Sequence, residues 1–183
     1  LVGSEMCIRD RIWTNGLPTD RIHRHPTSPG YIAFSLLFNS PFVHTASLLR
    51  KEVFELTGGY TLDPERIPPE DYEFFSRISR SFAMANIPEC LVIYQEVANS
   101  MSSMLRAEQS PAKKRFVSNL VRLSSENLAF AAGLQSTNHI TNDFGALTHQ
   151  DYERLPAKYN YSAMRGLVIQ AAKDIAIRFH EPS

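Results

Sequence analysis

Cysteine is scarce in this chain, with only Cys7 and Cys90 among 183 residues. At most one internal disulfide can form, so a disulfide-stapled small secreted scaffold is excluded. Neither sign of charge is in excess, since 19 Lys and Arg stand against 19 Asp and Glu. That balance argues against a nucleic-acid binder that works through bulk positive charge. No apolar run approaches the ~18 residues of a membrane span, which leaves only peripheral contact with a bilayer open. Internal repeats and low-complexity tracts are also missing, so solenoid and linker-like architectures do not apply.

What is present is a soluble globular profile, 43% hydrophobic and 21% charged, at a length suited to one ordinary domain. The first residues stand apart. Ser4 to Arg11 (SEMCIRDR) resembles the read-through translation of a transposon-end sequencing adapter, a scar of the kind found in assembled metagenomic genes. The resemblance implies that residues 1–11 are not native and are set aside in fold reasoning. Cys7 then drops out, and a lone Cys90, expected to be an inert buried thiol, fits a reducing cytoplasmic compartment. The native protein is then expected to extend further on that side.

Along the chain, Ser28-Pro29 reads as a helix start before the apolar run Tyr31 to Phe38. Asn39-Ser40-Pro41 breaks it. Phe42 to Leu49 alternates in a way that predicts a strand covered on both faces. The segment RKEVFELTGGY predicts a short helix stopped by Gly58-Gly59. Pro68-Pro69 stiffens the loop before a helix expected over Glu70–Phe82. Asn86 to Gln95 carries a strand at its apolar centre, and a polar loop follows. Ser110-Pro111 opens a long helix ending at Gly133, with Phe116, Leu120, Leu123 and Phe130 on one face. Asn138 to Pro156 is turn-rich. A last helix over Tyr159–Phe179 places Met164, Val168, Ala171, Ile175 and Phe179 at helical spacing.

The junction IPPEDYEFF (67–75) concentrates chemistry. At 100° per residue, Phe75, Ile78 and Phe82 fall within ~40° of Asp71, which puts that carboxylate at the inward edge of an apolar stripe. Glu70 lines up with Phe74, Arg77 and Ser81 on a mixed face. In a first turn the helix dipole favours the ionised carboxylate, while partial burial opposes it. A carboxylate so placed can accept a proton from a hydroxyl entering a cleft. Acidic residues are also common in first turns because they cap helices, and spacing alone favours that plainer role.

The order of three segments carries more. NSPFVHTASLLRKEVFELTGGY, then PPEDYEFFSRIS, then ANIPECLVIYQEVANSMS resembles the C-terminal half of family 2 glycosyltransferases of the GT-A fold, over roughly Pro29 to Ser102. The resemblance implies an α/β fold: a partial GT-A domain of few strands over residues 12–104, followed by a helical C-terminal region over 105–183. It implies inverting sugar transfer from a nucleotide-sugar to a hydroxyl on a saccharide, lipid-linked or protein acceptor. Asp71 would be the general base, and Glu70 would bind acceptor hydroxyls or orient the site. His44, Arg50, Tyr60, Tyr94, Gln95 and Ser100 would line the substrate cleft. The family's divalent cation (Mg or Mn), held by an Asp-x-Asp motif, is expected for the complete enzyme, but no Asp-x-Asp occurs in this chain. The family's Tyr-Arg-x-His pattern stands here as Tyr94-Gln95-Glu96-Val97, so two residues that would contact diphosphate or metal are replaced. The fragment alone is therefore expected to be inactive. The alternative is a glycosyltransferase-like protein that binds sugar or a partner without chemistry.

The plainer readings remain open for several of these residues. His44 is equally well a satisfied core histidine, Arg50 a surface ion-pair partner, and Tyr94 a core residue with a polar tip. His23 and His25 form a His-x-His, too little for a metal site without further ligands. Lys113, Lys114 and Arg115 read first as a solvated face and second as a contact for anionic lipid.

Overall fold

The computed structural model describes residues 4–14, 16–96 and 110–181. Among them lie three strands, six α-helices and one 3-10 turn: β1 (Ser4–Thr14), β2 (Leu17–Arg24), α1 (Pro29–Ser35), the turn His44–Ala46, α2 (Lys51–Thr57), α3 (Glu70–Ser79), β3 (Met84–Glu96), α4 (Pro111–Ala131), α5 (His139–Thr148) and α6 (Tyr161–Phe179). The class is mixed α/β, as expected. The sheet runs β2-β1-β3, antiparallel between β1 and β2 and parallel between β1 and β3. Register pairs Ser4 with Met84 and Thr14 with Glu96. Part of β1 comes from the segment expected to be non-native. Ladder pairing uses backbone groups common to every sequence, so it carries no information on that segment's origin. The β1–β2 hairpin was not anticipated, although Asn15-Gly16 is a strong hairpin signal, and Gly16 adopts φ +77° there.

Local chemistry explains the helix ends. The Ser28 hydroxyl accepts from Tyr31 N and the Ser110 hydroxyl from Lys113 N, each just before a proline. Gly58, at φ +74°, closes α2. Asn138 and Thr141 form a reciprocal capping box for α5. Two apolar clusters share α1. Ile32 and Leu36 join Phe42, Tyr72, Phe74, Phe75 and Ile78 in one, while Leu37 joins Leu128, Ile140, Phe144 and Met164 in the other. α5 approaches α4 so closely that a Cβ on Gly145 would meet the Val121 carbonyl oxygen at 2.3 Å.

Four expectations need correction. Phe42–Leu49 is not a strand. Both Ala46 N and the Ser47 hydroxyl donate to the Val43 carbonyl, and these local bonds curl the chain into a 3-10 turn. α3 ends at Ser79, where Arg80 N and Ser81 N tighten onto the carbonyls of Arg77 and Ile78. Cys90 is exposed on β3 rather than buried. Phe130 leaves the expected apolar face of α4: it is 44% exposed, with the guanidinium groups of Arg80 and Arg178 over its ring. Among the described residues no helix is long and apolar enough to cross a membrane.

Candidate active site

The acidic pair opens α3 as expected, with Pro69 at the N-cap position. The loop before it is fastened to α4. Asn119 Nδ2 donates to the Pro68 carbonyl at 2.9 Å, and Arg122 Nη2 to the Arg66 carbonyl at 3.3 Å. Asp71 Oδ1 accepts the Tyr72 amide at 2.8 Å, satisfying one of the free N–H groups of the first turn. The carboxylate is half-buried, and among the described residues that amide is its one hydrogen-bond partner. The apolar stripe beside it is buried at Phe75, Ile78 and Phe82. Phe74, assigned to the mixed face, is buried as well.

Next to the pair, His44 Nε2 and the Tyr60 hydroxyl share a hydrogen bond of 2.6 Å. The Tyr60 ring lies 4.5 Å from that of Phe74 and is 40% exposed, so its other surroundings are partly open. The Tyr60 phenol is held above its usual pKa, by partial burial first and then by the negative charges of Asp71 and Glu70. The structure thus gathers Asp71, Glu70, Tyr60 and His44: two carboxylates, a phenol and an imidazole at one half-exposed place. Such a group can take up a proton and can hydrogen-bond several hydroxyls of a polyol.

Two groups behind the site escaped the sequence reading. Glu73, 2% exposed, receives Arg77 through two bonds, Nε to Oε1 at 2.9 Å and Nη2 to Oε2 at 3.1 Å. The i, i+4 spacing of the two was the available signal. The second group is a buried polar chain. The Tyr72 hydroxyl bonds the Leu36 carbonyl at 2.7 Å and Ser124 Oγ at 3.1 Å, and Ser124 Oγ in turn bonds His149 Nε2 at 2.7 Å. Burial pushes the Tyr72 phenol up to about 12 and His149 down to about 4. No periodicity rule announces contacts between residues so distant in sequence.

The remaining candidates fall elsewhere. Arg50 is exposed at the N-cap of α2 rather than at a strand end. Tyr94 is not a core residue. It stands 38% exposed on β3, its ring 5.8 Å from that of His23. Gln95 is exposed beside it, with its amide nitrogen near Gly16. Ser100 lies outside the described residues. Glu96, in the replaced pattern, accepts both Nη atoms of Arg21, at 3.0 and 3.1 Å, and the Thr14 hydroxyl at 3.1 Å. These bonds hold its carboxyl below the usual range. Arg21 is thus committed to a carboxylate. Among the described residues no three His, Cys, Asp or Glu side chains converge as a metal site.

Three cavities lie away from Asp71. One of 830 Å³ lies between α1 and α6, one of 220 Å³ beside Asn127 and Arg178, and one of 720 Å³ beside Arg122 and Arg154. None is lined by Glu70 or Asp71. Glu70 and Asp71 are both half-buried.

The chain is 30% identical over 97 residues to an uncharacterized glycosyltransferase of Haemophilus influenzae. The match takes in 53% of this chain and 30% of that protein, so the chain spans about a third of the relative's length. No family model matches the chain, and no solved structure matches it.

Proposed function

We propose that this chain is the acceptor-side part of an inverting glycosyltransferase of family 2 and the GT-A fold. Residues 12–104 form the catalytic portion and residues 105–183 a helical extension. The observation that carries the reading is the Asp71 carboxylate: one oxygen is fixed by a helix amide, the group is half-exposed, and Tyr60 and His44 flank it. The similarity to a protein named a glycosyltransferase supports the same class. An acceptor hydroxyl donates its hydrogen bond to Asp71. As its oxygen forms the new bond to the anomeric carbon, the bond to the departing nucleoside diphosphate breaks and the proton passes to Asp71. Glu70 and Tyr60 orient the other acceptor hydroxyls. The nucleotide-sugar half of the site is supplied by sequence outside this chain.

In the complete protein, Asp71→Asn is expected to lower kcat by roughly 10²–10⁴, the usual worth of a general base. Nucleotide-sugar binding, measured by calorimetry, should be kept. Wild-type turnover in that variant removes Asp71 from the base role. A second reading is a glycosyltransferase-like binding protein without chemistry. The replacement of the family's arginine by Gln95, and the commitment of Arg21 to Glu96, favour it. Transfer by the intact wild-type protein with any nucleotide-sugar eliminates that reading.

A further inference from the structure

Tyr60 occupies a place that its own segment secures only in part. It follows the end of α2 and the two glycines Gly58 and Gly59, and such a turn has wide backbone freedom. The hydrogen bond to His44 fixes the hydroxyl end alone. The turn keeps two local bonds, Gly58 N to the Phe54 carbonyl at 2.9 Å and Thr57 Oγ1 to the Gly58 carbonyl at 3.2 Å, and one side chain of α3 holds it from behind. Arg77 donates Nη1 to the Thr57 carbonyl and Nη2 to the Gly59 carbonyl, the latter at 2.7 Å. The same guanidinium lies 5.5 Å from the centroid of Phe74, the ring on which Tyr60 rests.

We propose that Arg77, oriented by the buried Glu73, is a positioning residue that fixes Tyr60 and, through it, His44 beside the acidic pair. Three features support a built device rather than a chance surface pair. Glu73 is buried, so its charge requires partners; Arg77 supplies two hydrogen bonds and Arg66 a longer ion pair at 3.6 Å. The guanidinium fork then has donors left at a fixed angle, and these meet two carbonyls flanking the Gly58 turn. Both carbonyls stand where α2 ends and its own helix leaves acceptors unsatisfied. Lysine offers no such fork. Its compact ammonium can hold Glu73 but cannot span both carbonyls and both carboxylate oxygens.

The functional meaning rests on the glycosyltransferase reading, whereas the geometric claim does not, and the test separates them. The His44 ring nitrogens report the bond to Tyr60 by NMR in the 183-residue chain, and Tyr60→Phe supplies the resonance position for a lost bond. Arg77→Lys is expected to move the His44 Nε2 resonance at least half of the way to that position, with the cooperative thermal transition retained. A folded Arg77→Lys protein with His44 at its wild-type resonance overturns the proposal. If Arg77→Lys does not fold, Glu73→Gln decides by the same signal: it keeps the shape but removes the charge and turns one acceptor oxygen into an NH2 donor, so one arm of the fork is lost and the resonance should move in the same direction. In the complete enzyme, Arg77→Lys is expected to raise the acceptor KM roughly tenfold with donor KM unchanged, as a small misplacement does. A shifted His44 signal with an unchanged acceptor KM supports the clamp and counts against the acceptor-site reading.

Discussion

Helices α3 and α6 are both amphipathic in sequence, yet the fold uses them differently. α3 has ten residues, six of them buried, including the charged Glu73. α6 has nineteen, of which Met164, Ala171 and Ile175 are buried. α3 is fixed from several directions. Arg77 ties it to the end of α2, Tyr72 to α1 and Ser124, and Asn127 of α4 donates to Ser76 Oγ at 2.9 Å. α6 is fixed along one stripe and at its end, where Arg178 donates to the carbonyls of Ser79 and Arg80. The difference teaches where geometry is guarded. The helix that carries Asp71 cannot tilt without breaking polar bonds on several sides, whereas α6 can be altered over most of its surface.

The largest expected effect that breaks this comparison is in α3. Phe75 has no exposed surface and packs its ring 4.6 Å from Phe42 and 5.7 Å from Phe74. Phe75→Ala should cost about 3–5 kcal/mol, the transfer term plus the cavity left behind. Urea unfolding followed by circular dichroism measures it. A loss below ~1 kcal/mol would mean that α3 is not a rigid centre of the fold.

A smaller effect depends on pH and runs through the chain Tyr72–Ser124–His149. His149 is held neutral by burial, with its pKa near 4 instead of the ordinary 6.5. Its folded pKa is depressed, so the folded state binds fewer protons than the unfolded one between those values. The neutral ring's contribution is complete above pH ~6.5 and is lost as pH falls towards about 4. Protonation also turns Nε2 from an acceptor or donor into a donor only, which constrains Ser124 and the hydroxyl of Tyr72. The loss should be ~2 kcal/mol after allowance for the solvent contact His149 retains. Urea midpoints at pH 7.5 and 4.5 test this against His149→Gln, whose profile should be flatter over that range. Parallel profiles would remove His149 from the linkage.

Much of α3 was legible because it obeys local rules. Two prolines precede it, acidic residues fill its first turn, and Phe75, Ile78 and Phe82 recur at helical spacing. The same kind of rule found Ser110-Pro111 at the start of α4 and Gly58 at the end of α2. Failures came where competing local and distant bonds decided the outcome. Phe42–Leu49 alternates like a strand, but Ser47 and Ala46 both turn to the Val43 carbonyl. Glu73 looks like an ordinary surface acid until the fold buries it between Arg77 and Arg66. Of the candidate site, the Glu70–Asp71 junction was readable from sequence. Its neighbour Tyr60 was named, but the bond from Tyr60 to His44 spans 16 residues and depends on a 3-10 turn that alternation concealed.

The smallest expected effect sharpens the comparison from the side of α6. Ile177 is 74% exposed on that helix and lines the cavity shared with α1. Its apolar area is already in water, so removing it forfeits little burial. Serine and isoleucine also differ little in helix propensity. Ile177→Ser should therefore change stability by no more than ~0.5 kcal/mol, the range of an ordinary surface substitution. It should also leave the His44–Tyr60 resonance in place, because among the described residues no hydrogen bond joins α6 to the turn that Arg77 holds. A destabilisation near that of Phe75→Ala would show that the α1–α6 face is packed in solution and that the contrast between the two helices is false. Measured beside Phe75→Ala in the same urea series, Ile177→Ser sets the lower end of the scale on which the rigidity of α3 is judged.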